Sequence, residues 1–285
     1  MTKFYHFQLG EFHCTTLSDS ATEWDVWTIF ADVAREEVAA ALAEGNYSPE
    51  WVRQGNLLLV DTGEQKVLID TGLPPARGGN LLDSLRSAGV SAEEIDVVVI
   101  THGDGDHIGG LMRFPNAKII LPREAYRLWT EETEGMLEEF LKLFRHKVSA
   151  EQLDGMRNGR SVYPQQLLQI QDRLQLVDPD EAFLPGFRFL AAPGHRRDQF
   201  AVEVQSNSET LLHIADAFRH PIQCTRPDFF SFFDSYPEEL AKTTQRLMGR
   251  AADKKALVFG AHLPFPALIR LERAEDRFIW TRQEL

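Results

Sequence analysis

The chain has 285 residues, 43% hydrophobic and 26% charged, an ordinary globular composition with enough apolar side chains for a sizeable core. Acidic residues outnumber basic ones 43 to 30, a formal charge of −13, so the overall basic footprint of a nucleic-acid-binding protein is missing and no nucleic acid is expected as partner. No apolar run approaches a membrane span, the start MTKFYHFQLGEF lacks the apolar core of a secretory signal, and Cys14 and Cys224 fit no metal-ligand spacing. The expectation is a cytoplasmic protein without disulfides and without a membrane partner.

Residues 4–18 alternate loosely between apolar and polar, which predicts a strand or hairpin broken at Gly10 and ended by Ser18-Asp19-Ser20. The stretch 31–44 has helical spacing with Asp32 as its cap. Asn56 to Val60 and Lys66 to Asp70 flank Thr62-Gly63-Glu64-Gln65, a hairpin signal. Asp70, at the end of the second of these strands, reads either as a turn former or as something more specific. A helix is predicted from Leu81 to Ala88, and a capped turn at Ser91.

Asp96-Val-Val-Val-Ile100 is too short for a helix and reads as an interior strand. Directly after it come His102, Asp104, Asp106 and His107, interleaved with Gly103 and Gly105 and followed by Gly109 and Gly110. Four nitrogen or carboxylate ligands crowded on a loop that glycine frees to turn can converge on a metal ion. The alternative is a polar loop whose aspartates cap the next helix. Thr101 to Gly110 resembles the metal-binding signature of the metallo-β-lactamase superfamily, H-x-H-x-D-H followed by small residues, with Asp104 in place of the second histidine. The resemblance implies an α+β, four-layer αββα fold, two mixed sheets sandwiched between helices, and places Asp70 behind the metal loop as a hydrogen-bonding support.

After a short strand at Ala117 to Leu121, residues 123–176 are rich in Glu, Leu, Lys, Arg and Gln, with helical periodicity around Leu137, Phe140, Leu141 and Phe144. They read as a helical insertion in a single domain spanning 1–285, followed by a polar segment and a strand near Leu174 to Val177. Its charges are either a solvated face or part of a lid over the substrate pocket. Phe187 to Ala192 leads into Pro193-Gly194-His195, similar to the family's third metal histidine, but Arg196-Arg197-Asp198-Gln199 follows where relatives have a threonine and a further Gly-His pair. Strands at 201–205 and 210–214 lead to Asp216, which matches the family's bridging carboxylate. His220 reads as a surface turn residue or a pocket residue, and Arg197 as a pocket residue. Phe229, Phe230, Phe232 and Phe233 read as pocket, dimer contact or core. A helix from Tyr236, a strand at 256–259 ending in Gly260-Ala261-His262, and a closing hairpin at 268–280 complete the chain.

Carried over position by position, the resemblance implies one divalent ion on His102, Asp104 and His195 and a second on Asp106, His107 and His262, with Asp216 between them and Asp106 and Asp216 as the catalytic carboxylates. Zinc is the first expectation. The carboxylate of Asp104 favours a harder ion, manganese or iron, at its site. The expected activity is hydrolysis by metal-bound hydroxide of a small ester-like substrate: a lactone, carboxylic ester or phosphotriester. An iron-dependent redox enzyme and a non-catalytic binding protein with a degenerate site are the alternatives, and a homodimer is the default assembly.

Overall fold

Short apolar runs bounded by turns build two seven-stranded sheets. The computed structural model describes residues 4–275 and 277–282. The first sheet takes its strands in sequence order: β1 (Phe4–Leu9), β2 (Phe12–Asp25), β3 (Glu50–Asp61), β4 (Lys66–Ile69), β5 (Val97–Val99), β6 (Lys118–Pro122) and β7 (Leu174–Val177). The second contains β8 (Ala182–Leu184), β9 (Phe187–Ala191), β10 (Phe200–Ser206), β11 (Glu209–His213), β12 (Leu257–Phe259), β13 (Leu268–Ala274) and β14 (Arg277–Arg282), each beside its sequence neighbour. Both are mixed: the pairs from β4 to β7 are parallel, as are β11 and β12, and the rest are antiparallel. The helices are α1 (Val26–Ile29), α2 (Arg35–Gly45), α3 (Leu81–Ser87), α4 (Gly105–Ile108), α5 (Arg123–Glu131), α6 (Thr133–Phe144), α7 (Ala150–Ser161), α8 (Tyr163–Gln169) and α9 (Pro237–Asp253).

The sheets pack face to face with helices outside, and one continuous apolar cluster draws on both. This is the αββα sandwich. Val97, Val98 and Val99 are all buried, as a strand covered on both faces requires, and each such side chain contributes roughly 1.5–3 kcal/mol. On α9, Leu240, Leu247, Met248 and Ala251 recur at helical spacing on the buried face behind a first-turn proline.

Three expectations need correction. Ser18-Asp19-Ser20 does not end a strand: β2 continues to Asp25 across a register shift between Ser18 and Ser20. The shift leaves Asp19 buried, where its carboxylate accepts from the backbone N–H groups of Leu73, Asn80 and Leu81. The helix foreseen from 31 starts at Arg35, and Asp32 caps nothing but pairs with Lys147 at 2.7 Å. The polar segment after α6 is helical as well, because Ser149 and Gln152 form a capping box that opens α7. Among the described residues no helix is long and apolar enough to cross a membrane.

Candidate metal centre

Loops leaving the carboxyl ends of five strands meet at one edge of the sandwich: Asp70 follows β4, His102 follows β5, His195 follows β9, Asp216 follows β11 and His262 follows β12. Ligand sites gather at such strand ends because the loops there are free of pairing obligations. The motif glycines serve differently from the expectation, since none of Gly103, Gly105, Gly109 and Gly110 has a positive φ. They are needed for space: a Cβ on Gly110 would stand 2.3 Å from the carbonyl oxygen of Thr71. Gly194, in contrast, takes φ +134° against the backbone of Leu240, and this turn presents His195.

Each histidine is held by its Nδ1, which leaves Nε2 for the centre. His107 Nδ1 donates to Asp70 at 2.7 Å, His195 Nδ1 to Asp234 at 2.8 Å, His102 Nδ1 to the Thr101 hydroxyl at 3.1 Å, and His262 Nδ1 to the Gln54 carbonyl at 2.7 Å. Asp70 also accepts from the Thr101 N–H and hydroxyl, both at 2.8 Å, fixing the loop from behind. On the inner side His262 Nε2 is 3.1 Å and His107 Nε2 3.2 Å from Asp216, His195 Nε2 is 3.2 Å from Asp104, and His262 Nε2 is 3.4 Å from Asp106. Donors about 2.1 Å from a tetrahedral zinc ion stand about 3.4 Å apart, so these spacings suit a cation.

The donor chemistry agrees. Three overlapping groups, His102/His107/Asp216, His102/Asp104/His195 and Asp106/His107/His262, each place ligand atoms within 4.8 Å of one another. Nε2 of His102, Nε2 of His107 and Oδ1 of Asp216 are buried without a hydrogen-bond partner, a state that ordinarily costs 1–3 kcal/mol per group, by order of magnitude, and that a cation would relieve. Burial, followed by the Arg196 and Arg219 cations, pushes His195 down to about 3. Burial also works against a proton on His107, yet Asp216, Asp70 and Asp106 hold its pKa well above the usual histidine value. The residues fit divalent metal ions.

The sequence pointed to Arg197, whereas the arginines that meet the carboxylates are Arg53, Arg160, Arg196 and Arg219. Arg196 grips Asp104 with two bonds, Nε to Oδ1 at 2.9 Å and Nη2 to Oδ2 at 2.8 Å, while Arg160 of α7 pairs with Oδ1 as well. Arg219 bridges Asp216 and Asp234, both at 2.9 Å, and Arg53 pairs with Asp106. Burial opposes ionisation of Asp106 and Asp216, but Arg53 and His107 hold the first, and His262, Arg219 and His107 the second, below the ordinary carboxylate range. The surplus negative charge expected from Asp104 is thus shared with two guanidiniums. Its signal was present in the sequence: a carboxylate replacing a histidine, and an arginine directly after His195. Asp198 is another support, accepting from Trp129 Nε1 at 2.6 Å and Gly103 N–H at 2.8 Å, so that α5 braces the metal loop.

The open pocket above these residues has a volume of about 160 Å3 and is lined partly by the insertion, through Phe140, Phe144, Met156, Arg160 and Tyr163. Neither Arg197, read as a pocket residue, nor His220, read as a surface turn or pocket residue, is among the residues lining this pocket. Arg197 pairs with Glu139 and Glu132 of the insertion at 3.1 and 3.3 Å. His220 is buried rather than on a surface turn; its Nδ1 caps the turn at Pro221 and its ring meets Phe30 and Tyr47 edge-on. The phenylalanines divide: Phe229 is core, Phe232 packs on Phe144, and Phe233 lines the pocket.

Residues 51–262, which hold every one of the ligand candidates, match the profile of the metallo-beta-lactamase superfamily. The chain belongs to that superfamily. Among individual relatives, metallo-beta-lactamase domain-containing protein 1 of Mus musculus is 47% identical over 58 residues, 20% of this chain and 22% of that protein. A probable metallo-hydrolase of Mycobacterium tuberculosis is 28% identical over 194 residues, 58% of this chain and 57% of that protein. The chain thus spans about a fifth and just over half of these curated relatives. Among solved structures, AidC, a dizinc quorum-quenching lactonase in complex with a product N-hexanoyl-L-homoserine, superposes with a TM-score of 0.85 at 25% identity, covering 100% of this chain and 98% of that one.

Proposed function

We propose that the protein is a dinuclear metallo-hydrolase acting on a small ester-like substrate, with a lactone or carboxylic ester ahead of a phosphotriester. The observation that carries this reading is the set of four histidines anchored through Nδ1, with Nε2 facing Asp104, Asp106 and Asp216. The similarity to a dizinc lactonase supports both the metal count and the substrate type.

In this reading His102, Asp104 and His195 would hold one ion and Asp106, His107 and His262 the other, and Asp216 would serve beside them. Divalent ions there supply Lewis acidity and make water acidic enough to attack near neutral pH. The chain's own residues do the remainder. Asp106 and Asp216 stay ionised and orient the attacking water as hydrogen-bond acceptors; Asp70 and Asp234 keep the imidazoles aimed; Phe140, Phe144 and Phe233 exclude bulk water from one side of the pocket. No serine or cysteine nucleophile is needed.

The test is elemental mass spectrometry on protein purified without chelators, followed by a pH-indicator screen of lactones, carboxylic esters and phosphotriesters after loading with zinc, manganese or iron. Two metal equivalents and turnover of at least one ester class are expected. Failure to retain or take up metal overturns the reading, and iron retention with oxygen consumption and no hydrolysis moves the protein to redox chemistry.

A further inference from the structure

The pocket charge departs from that of the chain. A protein of formal charge −13 places five arginines, Arg53, Arg77, Arg160, Arg196 and Arg219, on one pocket against three carboxylates, Asp104, Asp106 and Asp216. With Asp234, which Arg219 also bonds, the arginines still outnumber the carboxylates, five to four. Four of the five are paired: Arg196 bonds Asp104, the carbonyls of His195 and Phe233, and the Ser235 hydroxyl; Arg219 bonds Asp216, Asp234 and Ser231; Arg53 pairs with Asp106, and Arg160 with Asp104.

Arg77 and Arg160 both line the pocket, on either side of Gly105 and Tyr163. Arg77 is exposed and, among the described residues, has no hydrogen-bond acceptor or carboxylate paired with it. A Cβ on Gly105 would stand 3.6 Å from Arg77 Nη1 and 3.3 Å from the Tyr163 hydroxyl, and one on Gly159 would stand 3.8 Å from the same Nη1. Arg77 therefore hangs between the metal loop and α7, beside Tyr163. Arg160 reaches the pocket one residue from Gly105, through Asp104, with its guanidinium stacked 3.8 Å over the ring of Phe140. That stacking fixes its direction while leaving the edge N–H groups not used by Asp104 for another acceptor.

We propose that Arg77 and Arg160, with the Tyr163 hydroxyl, form an oxyanion subsite beside the metal centre, so that the substrate carries a carboxylate or phosphate group in addition to the bond that is cleaved. The choice of an ester as the cleaved bond rests on the reading above. The subsite does not. An exposed arginine on a pocket that already holds more guanidiniums than carboxylates, with no acceptor paired to it among the described residues, is poorly explained as fold support. It is well suited to a ligand oxyanion, which guanidinium binds through charge-assisted and often paired N–H bonds.

The test uses the metal-loaded protein and two nearly isosteric esters, 4-nitrophenyl valerate and mono-4-nitrophenyl glutarate, in wild type, Arg77→Gln and Arg77→Lys. The glutarate ester is expected to be favoured in kcat/KM by about tenfold, the size of one charge-assisted contact. Arg77→Gln removes the preference and Arg77→Lys keeps most of it; a third ester ending in a phosphonate tells which oxyanion is preferred. Calorimetric titration of glutarate runs in parallel, with binding about tenfold weaker in Arg77→Gln. Arg77-dependent glutarate binding without cleavage of any ester sustains the subsite and removes the hydrolase reading. Ester cleavage indifferent to tail charge, with glutarate binding unchanged in Arg77→Gln, overturns the subsite and leaves the hydrolase standing.

Discussion

Separating the carboxylate of Asp104 from the guanidinium of Arg196 is the most direct test of how this centre differs from a histidine-only one. The pair is bidentate, with side chains 13% and 4% exposed. Two unit charges about 4 Å apart at an effective dielectric of about 20 attract by about 4 kcal/mol, and stranding one partner of a buried pair costs about 3–5 kcal/mol. Arg160 also reaches Asp104 and retains part of the attraction when Arg196 is lost. We therefore expect Asp104→Asn to destabilise the metal-free protein by about 3 kcal/mol, Arg196→Met by about 2 kcal/mol, and the double variant by about 3 kcal/mol, a coupling near 2 kcal/mol. Urea unfolding of the four proteins with chelator at pH 7 gives the cycle. Additivity within about 0.5 kcal/mol would refute the claim that the two charges act as one unit. The same logic applies to metal content: Asp104→His alone strands Arg196 beside the incoming ion and gains no zinc, whereas Asp104→His combined with Arg196→Met gains it.

Asp70→Ala removes the acceptor that orients both His107 and Thr101, and metal affinity measured by competition with a chromogenic chelator is expected to fall by about 10- to 100-fold; an unchanged affinity would show that His107 is aimed by packing alone. Glu203, nearly fully buried, accepts from Arg250 at 2.6 and 3.0 Å and from Lys254 at 2.9 Å. Burial resists its ionisation, but these cations lower its pKa below the usual glutamate value. A depressed carboxylate stabilises the fold above its unfolded pKa of about 4.3 and loses that contribution as pH falls through the folded value. Glu203→Gln should therefore cost about 1–2 kcal/mol at pH 7, with the difference from wild type shrinking below about pH 4; a difference constant with pH in urea titrations would contradict it.

The β-strands, α9 and the order of the ligand loops were readable because apolar runs such as Val97–Val99 and the spacing of Leu240, Leu247 and Ala251 record burial directly. His102, Asp104, Asp106 and His107 were readable because they are crowded into six positions. What holds them was not. Asp234, Asp198 and Arg219 act across the fold, and no local pattern records which acidic group will meet which imidazole. Asp19 was hidden by a bulge, since a strand that shifts register looks, in sequence, like a strand that stops. Arg197 was chosen over Arg196 because adjacent residues on a turn point in different directions, and only the turn at Gly194 decides which one enters the pocket. His220 looked like a surface residue because its burial depends on Phe30 and Tyr47, nearly two hundred positions upstream.

The insertion leaves the first sheet after Pro122 and re-enters it at Leu174, on two strands that are neighbours and parallel. A connection between parallel neighbours has to cross from one end of the sheet to the other, since Pro122 is level with Val177 and Leu174 with Ile119, and the helices of this crossover can grow, shrink or be exchanged while the sheet beneath them keeps its register. The ligand candidates and the helices that line one side of the pocket accordingly lie in separate stretches of this chain. Arg160 on Asp104 and Trp129 on Asp198 are the exceptions, the stitches through which a change in the insertion is felt at the ligands.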